Sequence, residues 1–172
     1  MSSHLAAAVR GIPDFPKPGI LFFDIAPILG NPALFRECID IFAARHKDTG
    51  IGKIAAVDAR GFIFGGALAD RLGVGFVPIR KKGKLPFKTY DESYDLEYGS
   101  ATLSVHQDAF HSGEKVVILD DLLATGGTAA AAARLVERAG GQVAEVDFLI
   151  ELKELHGCAK LHGHQVFAVL AL

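Results

Sequence analysis

The segment Val116–Thr128 constrains the fold of this chain more than any other. It begins with four consecutive apolar residues, continues with Asp120 and Asp121, and then enters a loop of small residues that contains Gly126 and Gly127. An unbroken apolar run of this length is typical of a parallel strand that is covered on both faces. A glycine-containing loop between such a strand and a helix predicts an α/β domain with a ligand site at the carboxyl end of the strand.

Strands and helices alternate along most of the chain. The predicted strands are Lys53–Ala59, Gly75–Ile79, Lys115–Leu119, Val143–Leu152 and Gln165–Leu172, and the predicted helices between them are Gly61–Leu72 and Thr128–Ala139. A further helix is expected to begin at Pro32, with Asn31 as its N-cap. Residues 2–11 predict a short helix, and the proline-rich and aromatic residues 12–30 predict an ordered extended loop. The pattern favours a mostly parallel central sheet flanked by helices.

Composition narrows the class of protein. The chain has 172 residues, of which 50% are apolar, and its formal net charge is −2. These values predict one domain over residues 1–172 and argue against a nucleic-acid partner. The apolar runs are too short to span a membrane, and the stretch Leu5–Val9 is too short for a secretory signal. Cys38 and Cys158 lie far apart, which favours a reducing compartment, and we therefore expect a cytoplasmic protein.

The segment 80–113 interrupts the alternation because it contains no clean helical pattern. It opens with the basic cluster Arg80–Lys84 and then carries all three tyrosines of the chain: Tyr90, Tyr94 and Tyr98. A polar and aromatic excursion of this length inside a compact domain is usually functional, and we expect a lid over a ligand site. The alternative is a β-hairpin that only covers an edge of the sheet.

The loop that follows Asp121 has the composition of an anion site. The glycines within Ala124–Thr128 allow successive backbone N–H groups to face one point, and the helix N-terminus adds further N–H groups and the positive end of its dipole. The hydroxyls of Thr125 and Thr128 are additional donors. Carboxylates beside a phosphate would repel it unless ribose hydroxyls or Mg²⁺ lie between them. The segment therefore predicts a site for a sugar phosphate.

Other chemical motifs do not occur in the sequence. There is no P-loop, no dinucleotide-binding glycine fingerprint after a strand and no G-x-S-x-G nucleophile elbow. Four residues near the C-terminus are of types that bind metals, but their spacing fits no zinc motif: His156, Cys158, His162 and His164. We expect surface histidines there, and we predict no metal ligand from the protein itself.

The run D-D-L-L-A-T-G-G-T at residues 120–128 resembles the phosphoribosyl-pyrophosphate (PRPP) motif of type I phosphoribosyltransferases. Its L-L-A form is most similar to that of the adenine phosphoribosyltransferases. Four further stretches resemble the same family: Phe15–Asp24, Asp58–Phe64, Ile79–Pro86 and Tyr94–Gly99. The resemblance implies the type I phosphoribosyltransferase fold, with residues 1–30 as a hood over the base pocket and residues 80–113 as a flexible lid or hairpin region.

The family also implies a reaction and its partners. The chain would transfer the 5-phosphoribosyl group of PRPP to adenine, giving AMP and pyrophosphate, as a step of purine salvage. Mg²⁺ would be carried by PRPP, and the enzyme would be a homodimer without nucleic-acid or membrane partners. One alternative is a xanthine- or guanine-type transferase of the same fold, against which the stretch Y-D-L-E-Y-G counts. The other is a PRPP-sensing regulator without catalysis, against which the negative net charge counts.

The resemblance assigns roles to residues along the sugar phosphate. The 5-phosphate would be held by Ala124, Thr125, Gly126, Gly127 and Thr128. The ribose hydroxyls would face Asp120 and Asp121. The pyrophosphate would contact Arg60, Arg80 and Lys84, with Arg80 supplied by the other subunit of a dimer.

The resemblance also assigns the base pocket and the lid. The purine would stack on Phe22, with the backbone of Leu21 at its Watson–Crick edge and Leu152 as the opposite wall. Glu97 would handle the purine proton, so that Glu97 and Arg60 are the expected catalytic residues. Tyr98 would close the lid over the ligand.

Two positions depart from the family pattern. Phe23 stands where the family usually has an arginine that supports the base pocket, and Ala59 stands where many members have serine. Phe23 makes the identity of the base a question for experiment. We expect the backbone of Leu21 to preserve the preference for adenine.

Overall fold

Seven strands form the central sheet of the part of the chain that the structure, a computed structural model, describes: residues 3–95 and 99–172. In chain order the strands are β1 (Arg10–Pro13), β2 (Leu21–Asp24), β3 (Lys53–Val57), β4 (Gly75–Lys81), β5 (Thr89–Asp95), β6 (Ser100–His106), β7 (Glu114–Leu123), β8 (Gly141–Glu151) and β9 (Val166–Ala171). The helices are α1 (Ser3–Ala8), α2 (Ala26–Leu29), α3 (Pro32–His46), α4 (Gly61–Leu72) and α5 (Gly127–Arg138). Short 3₁₀ turns lie at Lys153–Leu155 and Gly157–Lys160.

The inner strands of the central sheet are parallel. The strand order is β5-β6-β4-β3-β7-β8-β9. The pairs β4–β3, β3–β7, β7–β8 and β8–β9 are parallel, whereas β5–β6 and β6–β4 are antiparallel. This confirms the predicted α/β class with a mostly parallel sheet flanked by helices. Because the parallel strands end at one edge, the side chains that follow them are brought together.

Apolar side chains of β7 alternate between two cores. Ile118 packs in a cluster with α5, whereas Leu119 packs in a second cluster with α3 and α4. This burial on both faces explains the continuous apolar run in the sequence. Helix α4 lies close to the sheet because Gly65 has no side chain. A β-carbon at Gly65 would lie 2.5 Å from that of Ala56 and 3.0 Å from the Phe76 ring.

Strand β7 extends further than the sequence predicts. The predicted strand ended at Leu119, but β7 continues to Leu123 because β8 keeps pairing with it over these residues. Asp120 and Asp121 therefore lie within the strand, and the loop begins only at Ala124. Since neighbouring residues of a strand point to opposite faces, the two carboxylates emerge in different surroundings.

The N-terminal segment contains more regular structure than predicted. Helix α1 ends at Ala8, earlier than predicted, and β1 then pairs antiparallel with β2 inside the segment predicted to be an extended loop. The pairing sets Ile12 opposite Phe22, and Arg10 lies 3.7 Å from the carboxylate of Asp24. The backbone is extended as the proline content implies, but its two halves hydrogen-bond to each other. The short helix α2 follows, with a proline in its first turn.

Helix boundaries follow local sequence signals. Asn31 caps α3 by accepting hydrogen bonds from the backbone N–H groups of Ala33 and Leu34, as predicted. Helix α4 has the predicted bounds and ends at Gly73, whose φ of 69° is the left-handed conformation that glycine favours. Within residues 3–95 and 99–172, no helix combines the length and the apolar character needed to cross a membrane.

The segment 80–113 contains an antiparallel hairpin, formed by β5 and β6, that continues the sheet beyond β4. Strand β6 pairs with the end of β4 at Arg80. The hairpin also packs against α5, where the Arg138 guanidinium lies 4.8 Å from the centroid of the Tyr90 ring. The described strands thus form a hairpin that extends the sheet and packs on α5. The expected lid concerns the tip, and residues 96–98 lie outside the described residues.

Candidate active site

A cavity of about 290 Å³ opens at the edge of the sheet where β3 and β7 end. We call it the Arg60 cavity. Its lining combines charged, polar and a few apolar side chains: Val57, Asp58, Ala59, Arg60, Lys81, Tyr94, Leu103, Asp120, Asp121 and Thr128. Four of the residues predicted from the sequence therefore meet here, namely Arg60, the two aspartates and Thr128. Their position beyond the carboxyl ends of parallel strands is where ligands bind in open α/β sheets.

Arg60 connects the two strands that border the cavity. It lies between β3 and α4, and its Nε forms an ion pair with Oδ2 of Asp121 at 2.7 Å. Its guanidinium also lies 5.3 Å from the ring centroid of Phe22, which is within cation–π range. The guanidinium has five N–H donors in total, and 36% of the side chain is exposed, so donors remain for an anion.

Asp120 and Asp121 form a crowded acidic pair. The backbone N–H of Asp121 donates to Oδ1 of Asp120 over 2.8 Å, and the Asp121 carboxylate is buried. Burial raises the pKa of Asp120 well above its usual value, and the charge of Asp121 raises it further, whereas Arg60 acts in the opposite direction. A ligand that donates hydrogen bonds to these carboxylates relieves their repulsion. The pair therefore suits the hydroxyl groups of a sugar.

Helix α4 approaches this pair with no side chain in between. A β-carbon at Gly61 would lie 2.9 Å from Oδ1 of Asp120 and 2.9 Å from the carbonyl oxygen of Leu119. Any larger residue would have to displace the end of β7. Arg60 thus contributes a positive charge to the site, and Gly61 allows α4 to approach the end of β7.

The backbone of Ala124–Thr128 leads from β7 into α5. Gly126 is the N-cap of α5 with a left-handed φ of 80°, and no side chain caps the helix. The first N–H groups of α5 are therefore oriented for an anion, as predicted for this loop. The Thr128 Oγ1 donates a hydrogen bond to the Tyr94 hydroxyl over 3.2 Å, so the hairpin contacts the beginning of the helix.

Arg80 lies on β4 outside the lining of the cavity and reaches it only through a contact with Asp58. Its Nε donates to Oδ2 of Asp58 over 3.0 Å, and its Nη1 donates to the carbonyl oxygen of Lys84 over 3.2 Å. Asp58 lines the cavity, whereas the Lys84 side chain is exposed and lies outside the lining. Lys81, which the resemblance did not single out, is the lysine of the basic cluster that lines the cavity.

The residues predicted to contact a base lie on two elements. Leu21 and Phe22 are neighbours on β2, and the Leu21 side chain is half-exposed. Leu152 directly follows β8, and its backbone N–H donates to the carbonyl oxygen of Leu123 over 2.9 Å. The contact between Phe22 and Arg60 joins β2 to the cavity, and the hydrogen bond at Leu123 joins Leu152 to the beginning of the loop.

The two departures from the family pattern have different surroundings. Phe23 packs against the apolar cluster shared by the sheet, α3 and α4, so its ring contributes to the core. The donors of an arginine are missing from β2 at this position. Ala59 lines the Arg60 cavity itself, directly beside Arg60.

Glu97 and Tyr98 lie outside the described residues. The last described residue before this gap is Asp95, whose carbonyl oxygen lies only 3.3 Å from where a β-carbon at Gly127 would be. The end of β5 is therefore packed against the first residue of α5. Asp95, which makes this contact, precedes Glu97 by two positions in the chain.

Three of the charged or polar residues that line the cavity were missing from the predicted site: Asp58, Lys81 and Tyr94. Asp58 had a recognisable signal, because it follows a buried strand just as Asp120 follows an apolar run. Lys81 and Tyr94 had no such signal, since only the pairing of the hairpin with β4 and its packing on α5 bring them to the cavity.

One group within the described residues joins histidine and carboxylates closely enough to hold a metal ion: His46, Glu145 and Asp147. It lies between the end of α3 and β8, away from the lining of the Arg60 cavity. The His46 Nε2 is 2.5 Å from Asp147 Oδ2, and Arg45 donates to Glu145 through Nε over 2.7 Å and Nη2 over 2.5 Å. These contacts connect α3 to β8, whereas the Oδ1 atom of Asp147 is buried without a hydrogen-bond partner among the described residues.

The C-terminal histidines are dispersed. His156 and His162 are exposed, and His164 lies 3.7 Å from Glu137 on α5. This agrees with the expectation of surface histidines.

The raised pKa of Asp120 predicts how stability depends on pH. Since the folded protein holds this proton above the ordinary pKa of 3.8, it binds more protons than the unfolded chain in that range. The contribution of Asp120 to the free energy of unfolding therefore decreases as the pH rises through the raised pKa. At still higher pH this contribution is constant. Asp120→Asn should unfold at a higher temperature than the native protein, by a margin that grows from about pH 4 to pH 8.

Thermal unfolding followed by circular dichroism across this range measures the margin. Asp108→Asn is the matched control, because Asp108 is exposed, and its margin should not change with pH. A margin for Asp120→Asn that stays constant from acid to neutral pH would contradict the assignment.

Comparison with known proteins gives the same result as the site. The phosphoribosyl transferase domain family matches residues 25–156. The adenine phosphoribosyltransferase of Chromohalobacter salexigens is 52% identical over 168 residues, which cover 96% of this chain and 93% of that protein. The crystal structure of the enzyme from Thermoanaerobacter pseudethanolicus superposes with a TM-score of 0.95 at 48% identity, covering 99% of both chains. The Saccharomyces cerevisiae enzyme, complexed with an imino-altritol bisphosphate and adenine, gives 0.93 at 43% identity and 97% coverage of both chains. The chain therefore belongs to the phosphoribosyltransferase family, and within it to the adenine phosphoribosyltransferases.

Proposed function

We propose that this chain, acting in purine salvage, transfers the 5-phosphoribosyl group of PRPP to adenine at the Arg60 cavity and releases AMP and pyrophosphate. The observation that carries the proposal is the meeting of a cation, an acidic pair and an uncapped helix N-terminus in one cavity. In the reaction, N9 of adenine forms a bond to the anomeric carbon while the bond from that carbon to pyrophosphate breaks. Positive charge develops on the sugar and negative charge on the leaving group.

The loop and the acidic pair hold the sugar phosphate. The backbone N–H groups of Ala124–Thr128 bind the 5-phosphate, assisted by the hydroxyls of Thr125 and Thr128. Asp120 and Asp121 accept hydrogen bonds from the ribose hydroxyls, which offsets the cost of placing two carboxylates side by side. The sugar is thereby fixed between a donor site and an acceptor site, which orients its anomeric carbon.

The basic residues stabilise the leaving group. Arg60 keeps donors free beside the cavity. Arg80 and Lys84 add positive charge near the pyrophosphate, Arg80 from the partner chain of a dimer. Mg²⁺ bound with PRPP supplies further neutralisation of the phosphate charge. The acidic pair fits this arrangement, since it offers only oxygen atoms, the ligands that Mg²⁺ prefers.

The base lies between β2 and the end of β8. Phe22 stacks on the purine, the backbone of Leu21 binds its Watson–Crick edge, and Leu152 forms the other wall. The contact of Phe22 with Arg60 supports this arrangement because it holds the ring beside the cavity. Backbone recognition at Leu21 does not depend on the side chain at position 23, so Phe23 is compatible with adenine.

Residues 80–113 supply the lid. Glu97 accepts the proton that leaves N9, and Tyr98 closes over the ligand, which excludes the water that would hydrolyse PRPP. The contact between Tyr94 and Thr128 supports this role, because it holds the end of β5 beside the phosphate loop.

The chain acts in the cytoplasm as one domain and as a homodimer. Both cysteines are free thiols, and Cys158 is hydrogen-bonded to Glu151, which suits a reducing compartment. In the dimer, Arg80 leaves Asp58 and reaches the site of the partner chain.

A complementation experiment tests the role of Arg80 across the dimer. Arg60→Ala and Arg80→Ala should each be nearly inactive alone, but coexpressed chains should recover about a quarter of native activity. Half of the dimers are then mixed, and one of their two sites has both arginines. A mixture as inactive as the separate variants would place Arg80 in the site of its own chain. A mass near 18.3 kDa for the native protein, measured by light scattering, would show a monomer and contradict the proposed dimer.

Base specificity tests the reaction itself. With PRPP and Mg²⁺, kcat/KM for adenine should exceed that for hypoxanthine, guanine and xanthine by at least about a hundredfold, because a site built to hydrogen-bond one base rejects an unmatched edge. Phe23→Arg, which restores the family residue, should retain this order. Faster use of a 6-oxopurine would establish the alternative transferase, and PRPP binding without nucleotide formation would establish the regulator.

The role of Glu97 is tested by its removal. Glu97→Ala should lower kcat by roughly a hundredfold or more, which is the usual contribution of a general acid or base, while the KM for PRPP changes by less than about threefold. Glu154→Ala, at an exposed glutamate, is the control and should behave as the native enzyme. Equal losses in kcat and in PRPP binding would remove Glu97 from proton transfer.

A further inference from the structure

Two glycines from distant parts of the chain are in backbone contact behind the phosphate loop. Gly157 begins the second 3₁₀ turn, and a β-carbon on it would lie far inside van der Waals distance of the carbonyl oxygen of Ala124. It would also lie 2.9 Å from Cδ1 of Leu123. In the other direction, a β-carbon on Gly126 would overlap the carbonyl oxygen of Gly157 and lie 3.0 Å from its carbonyl carbon. The loop and the turn therefore fit together only where both residues are glycine.

The turn itself is held in a fixed position. Cys158 Sγ donates a hydrogen bond to Oε1 of Glu151 at the end of β8 over 2.9 Å. Leu161, directly after the turn, is buried in the core cluster that also contains the side chains of α5. The atoms that the loop contacts thus belong to a segment that is attached to the sheet and to the core, and they cannot yield easily to a larger side chain.

The left-handed residue before the turn sets its direction. His156 has a φ of 50°, which is uncommon outside glycine, and it directs the chain back toward the loop. The sequence H-G-C, which fits no metal motif, is thereby explained by the contact it makes. Its glycine permits the approach and its cysteine attaches the turn.

We propose that Gly157 is a positioning residue for the phosphate loop: the turn Gly157–Lys160 supports Ala124–Gly126 from behind and fixes the N–H groups that bind the 5-phosphate. The inference rests on the proposed function, because it assigns that loop to the phosphate of PRPP and AMP. A side chain at Gly157 would displace the loop by about an ångström, and displacements of this size at a binding site are costly. The residue acts only through the backbone of Ala124 and Leu123, without touching the ligand.

Ligand binding to Gly157→Ala measures the effect. AMP affinity should fall by at least about tenfold, whereas the affinity for adenosine, which lacks the 5-phosphate, should change by less than about threefold. The KM for PRPP should rise with AMP, and the KM for adenine should not. Gly66→Ala is the matched control, since a β-carbon there meets nothing within 4 Å and Gly66 lies in the interior of α4. Its AMP affinity should equal that of the native protein.

If Gly157→Ala does not fold, a second variant tests whether the turn positions the phosphate loop. Cys158→Ala removes the attachment of the turn without adding an atom against the loop, and it should weaken AMP by roughly threefold, the scale of one hydrogen bond, with adenosine unchanged. Unchanged AMP affinity in the folded variants would overturn the proposal, as would an equal loss for AMP and adenosine. Failure of the native chain to bind AMP would instead overturn the proposed function.

Discussion

The ion pair between Arg60 and Asp121 is the interaction on which the geometry of the site depends. It joins the residue that follows β3 to a residue at the end of β7, two adjacent parallel strands, over 2.7 Å. Asp121 is buried, so without this partner the carboxylate would be left without a counter-charge in a shielded position. The same guanidinium also contacts Phe22, and it lowers the cost of the second carboxylate, Asp120. One side chain thus connects β2, the loop after β3 and the end of β7.

Asp147 and Asp120 both have a pKa that burial raises, but their charged neighbours differ. Burial raises the pKa of Asp147, but His46 donates a hydrogen bond to it and opposes that effect. The group therefore serves as a link between α3 and β8. Burial also raises the pKa of Asp120, and there the nearest charged neighbour is another aspartate. A buried acid that is hydrogen-bonded to a histidine stabilises the contact between two elements. An acid beside a like charge at a cavity is typical of a ligand site.

Sequence reasoning succeeded where local signals act alone. The cap at Asn31 and the left-handed Gly73 depend on a few neighbouring residues, so the beginning of α3 and the end of α4 could be predicted. The bounds of β7 could not, because its last residues are strand only through pairing with β8. The N-terminal strands form for the same reason, since each is a partner for the other.

The residues of the site also divide into those that a local motif identifies and those that only tertiary contacts bring together. Asp120, Asp121 and the loop Ala124–Thr128 are contiguous, so a motif could identify them. Tyr94 reaches the cavity through the hairpin and Lys81 through the end of β4, and these positions depend on tertiary contacts. Gly157 lies still further along the chain, where only the contact with Ala124 explains why the residue is glycine.

The crowding of the acidic pair also couples the cavity to the proton concentration of the solvent. In the empty cavity, Asp120 retains a proton to a higher pH than an ordinary aspartate. A sugar whose hydroxyls donate to this carboxylate favours its ionised form, so the ligand enters as a proton leaves. For such a ligand, binding would be an exchange of a proton with the solvent, and its heat would include the ionisation of the buffer that accepts the proton.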